Sequence, residues 1–119
     1  MKTTANNTRE SMNAARVASY NPDNVEHVVM YADNIREIYE RMDATASALA
    51  KKMAKGLQPD RERLAESATV CRIVSKAAKI ARRDEWCKPT AADLQQARRQ
   101  IAAYIIDELA TWKVKNSEK

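Results

Sequence analysis

Between residues 25 and 53 apolar side chains recur at alternating spacings of three and four: Val25, Val28, Ala32, Ile35, Tyr39, Met42, Ala46, Leu49 and Met53. This is a heptad a/d pattern held for about four repeats, and it predicts one long helix with a single apolar stripe. Its ends are marked by local chemistry. Asn21 can cap, Pro22 suits the first helical position and Asp23 complements the positive end of the helix dipole. Lys51, Lys52 and Lys55 crowd the last turn, Gly56 can take the left-handed position, Leu57 can close the hydrophobic contact and Pro59 forbids continuation. The predicted first helix runs over 22–55, about 50 Å at ~1.5 Å per residue.

A second helix is predicted over 59–86. Its apolar side, Leu64, Val70, Cys71, Ile73, Val74, Ala77, Ala78, Ile80 and Ala81, covers nearly half the cylinder, enough for two neighbours in a bundle. Lys88-Pro89-Thr90 ends that run, and Thr90 followed by Asp93 reads as a capping box. The third helix, 90–113, then carries Leu94, Ala97, Ile101, Tyr104, Ile105, Leu109 and Trp112 at helical spacing. Trp86 and Trp112 each end a helix, where core packing is the expected role. Short connections make consecutive helices antiparallel neighbours. The expected fold is all-α: an antiparallel three-helix bundle with one long first helix, residues 21–115 forming one domain. Residues 1–20 read as a flexible polar tail with room for a short helix over 8–19, and residues 116–119 as a second tail.

The first helix outruns the third by two or three turns, so part of its stripe lacks a partner within a three-helix bundle. Val29, Tyr31 and Ile38 widen the apolar face beside the stripe. Val28, Val29, Tyr31, Ile35, Ile38, Tyr39 and Met42 are therefore the candidate interface, for a second copy of the chain or for another protein. The competing solution is an N-terminal tail that folds back as a fourth short helix.

Composition supports a thin helical core. Leu, Ile and Val total 19 of 119 residues and Phe is absent, whereas Ala occurs 21 times, Gly once and Pro three times. Helices pack closely where alanines face each other. The net charge is +5, and the excess is uneven: residues 1–57 carry 8 basic and 7 acidic side chains, residues 58–119 carry 13 and 9. That balance admits an acidic partner, nucleic acid among them.

The cationic half contains a pattern. Arg72, Lys76, Lys79 and Arg83 follow spacings of 4, 3 and 4 and so share one face of the second helix, opposite its apolar side. Arg61 extends the line, Arg82 borders it, and Arg98 and Arg99 follow on the next helix. Such a ridge, with Arg99, is the candidate nucleic-acid contact, through phosphates and without sequence preference.

Catalytic chemistry is poorly represented. His27 is the single histidine and falls on the polar side of its helix, where solvation is expected; it gives Ser or Cys nucleophiles no partner base. Cys71 and Cys87 lie 16 positions apart in no ligand motif and read as reduced thiols, Cys71 half-buried. A chain with one glycine holds no glycine-rich phosphate loop. Asp33, Glu37 and Glu40, with Asp107 and Glu108 as a second acidic pair, leave a remote magnesium-dependent nucleotide hydrolase reading, which a solvated charged face also explains. No metal and no cofactor are expected. The first 20 residues lack a signal-peptide apolar run and no 18-residue apolar stretch occurs, so a cytoplasmic protein without membrane contact is expected.

The run from Ser75 to Gln100, SKAAKIARRDEWCKPTAADLQQARRQ, resembles the end of a histone fold or of the helical lid of an AAA+ ATPase. Both join a basic, Ala-rich helix to another through a Thr-x-x-Asp-hydrophobic turn, and the histone likeness implies nucleic-acid contact. The combined expectation is a non-enzymatic helical interaction protein, of the kind found among bacterial and phage accessory factors. The alternative is nucleic-acid binding by the ridge.

Overall fold

The structure, a computed structural model, describes residues 20–85 and 87–117, so the expectations for residues 1–19, Trp86 and 118–119 lie outside the described residues. The described residues are all helix and connection, with no strand. Six α-helices and one π segment follow in order: α1 (Pro22–Asn34), α2 (Arg36–Ala54), α3 (Arg61–Ala65), α4 (Ala68–Glu85), α5 (Ala91–Tyr104), the π segment (Ile105–Ala110) and α6 (Thr111–Ser117). The last three form one continuous rod, since Tyr104, Ile105 and Thr111 all keep helical dihedrals.

The helix ends follow the sequence. Asp23 N–H donates to Asn21 Oδ1 at 2.9 Å and Pro22 opens α1. At the far end of α2, Gly56 has φ +87°. There Leu57 N–H reaches Lys52 O at 3.0 Å and Gly56 N–H reaches Met53 O at 2.9 Å, the paired bonds of a Schellman motif. The Thr90 junction is a complete capping box: Asp93 N–H donates to Thr90 Oγ1 and Thr90 N–H to Asp93 Oδ2.

The long first helix is not continuous. Ile35 is extended, with φ −87° and ψ 115°, and divides the predicted 22–55 helix into α1 and α2. Ile35 N–H closes α1 on Tyr31 O at 2.9 Å, while Ile35 O accepts from Tyr39 N–H at 2.8 Å and opens α2. One residue thus ends one helix and starts the next, and Asn34 Nδ2 donates to Met30 O at 2.8 Å on the α1 side of the break. The stripe keeps its phase at Met42 and Ala46 and shifts only next to the break. Val25, Val28 and Ala32 are buried before it, but Ile38, Met42 and Ala46 are buried after it, so Ile38 takes the core position that spacing gave to Tyr39.

The predicted 59–86 helix is also two. Asp60 caps α3 through Arg63 N–H, and Ser67 separates α3 from α4 by bonding both. Its hydroxyl donates to Leu64 O at 2.6 Å and accepts from Val70 N–H at 3.3 Å. The third predicted helix starts as expected but runs to Ser117, past the proposed tail boundary, and contains the π segment. The three-helix arrangement therefore gives way to more and shorter helices.

Packing directions follow from the contacts. Asn21 and Asn24 meet Asp93 at the starts of α1 and α5, and Asp43 on α2 meets Lys113 on α6 further along, so α1 and α2 run parallel to the rod. α3 lies beside the middle of the rod through Arg61 with Asp107 and Glu62 with Arg99. α4 returns antiparallel, bringing Cys87 back to Asn24, where Sγ donates to Oδ1 at 3.1 Å. The core between them is built from Val28, Ile38, Met42, Ile73, Ile101 and Ile105, with many fully buried alanines filling the close contacts.

Candidate functional site

Two surfaces gather the residues that sequence reading singled out. The first is an apolar groove where α1 and α2 face the rod. The π segment shapes the part of it beyond Tyr104. Along a plain α-helix Ile101, Ile105 and Trp112 would share a face, but the π segment carries one extra residue per turn and turns the following face aside. Ile101, Ile105, Ile106 and Ala110 are buried instead, and Trp112 is left 63% exposed. Core packing of Trp112 is thereby corrected.

On the α1 side of Tyr104 the groove is a cavity of about 260 Å³ floored by Val29, Met30, Met42 and Ile101. On the α2 side it continues as a second cavity of about 340 Å³, walled by Tyr39, Leu109 and Trp112. Tyr104 lines both. The edges are acidic: Glu26 and Asp33 border the first cavity, Asp43 and Glu108 the second. Only Lys113 among the lining residues is cationic, and it is engaged by Asp43 at 3.0 Å. Burial, and then the negative Asp33 beside it, pushes the Tyr104 phenol above its ordinary value, so it stays a neutral hydroxyl.

The seven candidate interface residues divide accordingly. Val28, Ile38 and Met42 are buried in this chain's own core. Tyr31 and Ile35 are half-buried against that core. Val29 and Tyr39 line the groove, with Met42 in its floor. Sequence reading did not single out Met30, Tyr104 or the acidic edge for this purpose. The spacing of Glu26, Met30 and Asp33 on one side of α1 was visible, but the exposure of Trp112 depends on the π segment.

The second surface is the outer face of α4. Arg72, Lys76, Lys79 and Arg83 are all exposed. Arg83 pairs with its neighbour Asp84 at 2.8 Å; that hydrogen bond and charge raise the Arg83 pKa and lower that of Asp84. Arg72, Lys76 and Lys79 form no ion pair with a described residue. Arg61 and Arg99 are drawn elsewhere, to Asp107 and to Glu62.

No protein-family model, curated protein or solved structure matches the chain.

The remaining candidates for chemistry are dispersed. Asp33 sits on α1 and Glu37 and Glu40 on α2, across the Ile35 break, and Glu40 is bonded by Arg36 at 3.0 Å. Among the described residues no three His, Cys, Asp or Glu side chains lie together as a metal site. His27 is half-buried rather than solvated, and its Nδ1 is sealed from solvent with no hydrogen-bond partner among the described residues. Cys71 is half-buried and Cys87 buried, and neither forms a disulfide among the described residues. Among the described residues no helix is long and apolar enough to cross a membrane.

Proposed function

We propose that this chain is a cytoplasmic, non-enzymatic interaction protein whose groove receives an amphipathic helix of a partner protein, cationic on its polar side. One observation carries the reading: two apolar cavities that share Tyr104, one lined by Met30 and the other by Leu109 and Trp112, are edged by Glu26, Asp33, Asp43 and Glu108 on a molecule of net charge +5. An apolar helix face lying between two parallel elements buries three or four anchors, and Lys or Arg beside them meet the carboxylates. Aromatic side chains at such a site supply most of the binding energy.

The test is fluorescence anisotropy with a labelled synthetic peptide that forms a Leu/Lys amphipathic helix, set against the same helix with Glu replacing Lys. The Lys peptide binds and the Glu peptide does not. Met30→Glu with Trp112→Glu weakens binding by about tenfold or more, roughly 1.4 kcal/mol. Both side chains are exposed, so the fold survives, and the added negative charge would by itself attract the peptide; the loss therefore reports apolar contact. Equal binding of the two peptides, or no loss in the variant, overturns the reading. A concentration-dependent mass in sedimentation that the same variant abolishes would give the groove to a second copy of the chain instead.

A further inference from the structure

We propose that the outer face of α4 is a nucleic-acid backbone site, separate from the groove and independent of base sequence. The observation is the composition of that face once burial has sorted the helix. Val70, Ile73, Val74, Ala77, Ala78 and Ala81 are buried, which fixes the rotation of α4 about its axis. Of the side chains described on α4, those left exposed are Ala68, Thr69, Ser75, Asp84 and five cations. The cations are Arg72, Lys76, Lys79, Arg82 and Arg83, and among the described side chains only Arg83 has an ion-pair partner, Asp84. No large apolar or aromatic side chain is exposed among them.

That composition selects the partner. Phosphate contacts need point charges and hydroxyl donors on a rigid element, and the face offers Lys, Arg, Ser75 and Thr69 on one helix. A protein hot spot needs buried aromatic anchors, and a lipid surface needs apolar side chains beside the cations; the face has neither. From Arg72 to Arg83 the ridge extends about 16 Å at ~1.5 Å per residue. Duplex DNA presents roughly one charge per 1.7 Å of axis, so a few phosphates fall within reach of four side chains. No α4 residue lines the groove, so the two surfaces do not compete for the same side chains.

The experiment titrates a labelled mixed-sequence DNA duplex and an RNA strand with the full chain at about 50 mM and about 200 mM salt. Contact with about four phosphates weakens binding by roughly a hundredfold between those salts. Lys76→Glu with Lys79→Glu removes at least about tenfold of affinity at low salt and lowers the salt slope by about two. Lys51→Glu with Lys52→Glu makes the same change in net charge at the exposed end of α2 and leaves binding within about twofold. Equal losses in both variants would show that net charge alone matters and would overturn the site. So would absence of binding at low salt, or salt-independent binding. Polyglutamate that binds as tightly as DNA, with the same sensitivity to the α4 variant, would assign the face to an acidic protein instead.

Discussion

Asp93 is the residue on which the most structure converges. Its carboxylate is 1% exposed and accepts Asn21 N–H at 2.7 Å, Asn24 Nδ2 at 3.0 Å and Thr90 N–H at 2.8 Å. A cap that spacing alone explained as local is also the bond between the starts of α1 and α5. Burial by itself pushes the Asp93 carboxyl upward, but the hydrogen bonds from Thr90, Asn24 and Asn21 outweigh it and hold the pKa below the ordinary value. The folded pKa lies below the unfolded one. The stabilisation is therefore complete above the unfolded value, near 4, and is lost as pH falls through the folded value. Urea unfolding of Asp93→Ala near neutral pH should show a loss of about 3 kcal/mol, since three donors lose a charged acceptor. Asp93→Asn should lose less and, unlike the native chain, should gain no extra instability from this site as pH falls below about 4. Parallel pH profiles of the two proteins would remove the account.

At the scale of elements, the termini were legible and the interruptions were not. Asn21-Pro22, Gly56-Leu57 and Thr90 with Asp93 specify their ends through atoms a few residues apart, so sequence spacing contains the whole cause. Ile35 has no such mark. It sits in an apolar stripe with neither Gly nor Pro beside it, and the break arises from what the two halves pack against: α1 on α4 and α5, α2 on the π segment and α6. Asp33 and Tyr39 both lie beside Tyr104, the last residue before the π segment, so the break and the π segment are neighbours. Where the rod turns its apolar face, the facing helix buries Ile38 and leaves Tyr39 at the margin. Ile105 and Ala110, both buried, are five positions apart, a spacing that a plain α-helix does not place in line. This makes the π segment equivalent to one inserted residue, with Thr111 Oγ1 donating to Ile106 O at 2.8 Å across it. Deleting the exposed Glu108 should then straighten the segment into α-helix while α6 keeps its facing. Circular dichroism should show native helix content and a cooperative melt. Deleting the exposed Gln100, in the regular α-helix, should rotate everything after it by about 100° and abolish that melt. Equal damage from both deletions would refute the equivalence.

The whole molecule is organised by alanine. Ala32, Ala46, Ala77, Ala78, Ala81, Ala97, Ala102 and Ala110 are all buried, and the large core side chains are few. The composition announced this thin core, because 21 alanines and no phenylalanine leave little else to bury. The location of the groove was hidden, since it depends on how close the helices come. With alanines at the contacts, backbones approach each other and no interior space remains for Tyr39, Tyr104 and Trp112, which are left at the margin where the groove forms. Close approach of the helices closes the alanine sites to larger side chains. Ala46→Leu, inside the core on α2, should destabilise by about 1–3 kcal/mol through overpacking. Ala48→Leu, two positions away and exposed, should change stability by no more than about 0.5 kcal/mol. Thermal melting followed by far-ultraviolet circular dichroism compares them directly. If the helices were loosely packed, Ala46→Leu would fill space and raise the melting temperature. The marginal position of the aromatic residues would then need a cause other than close approach.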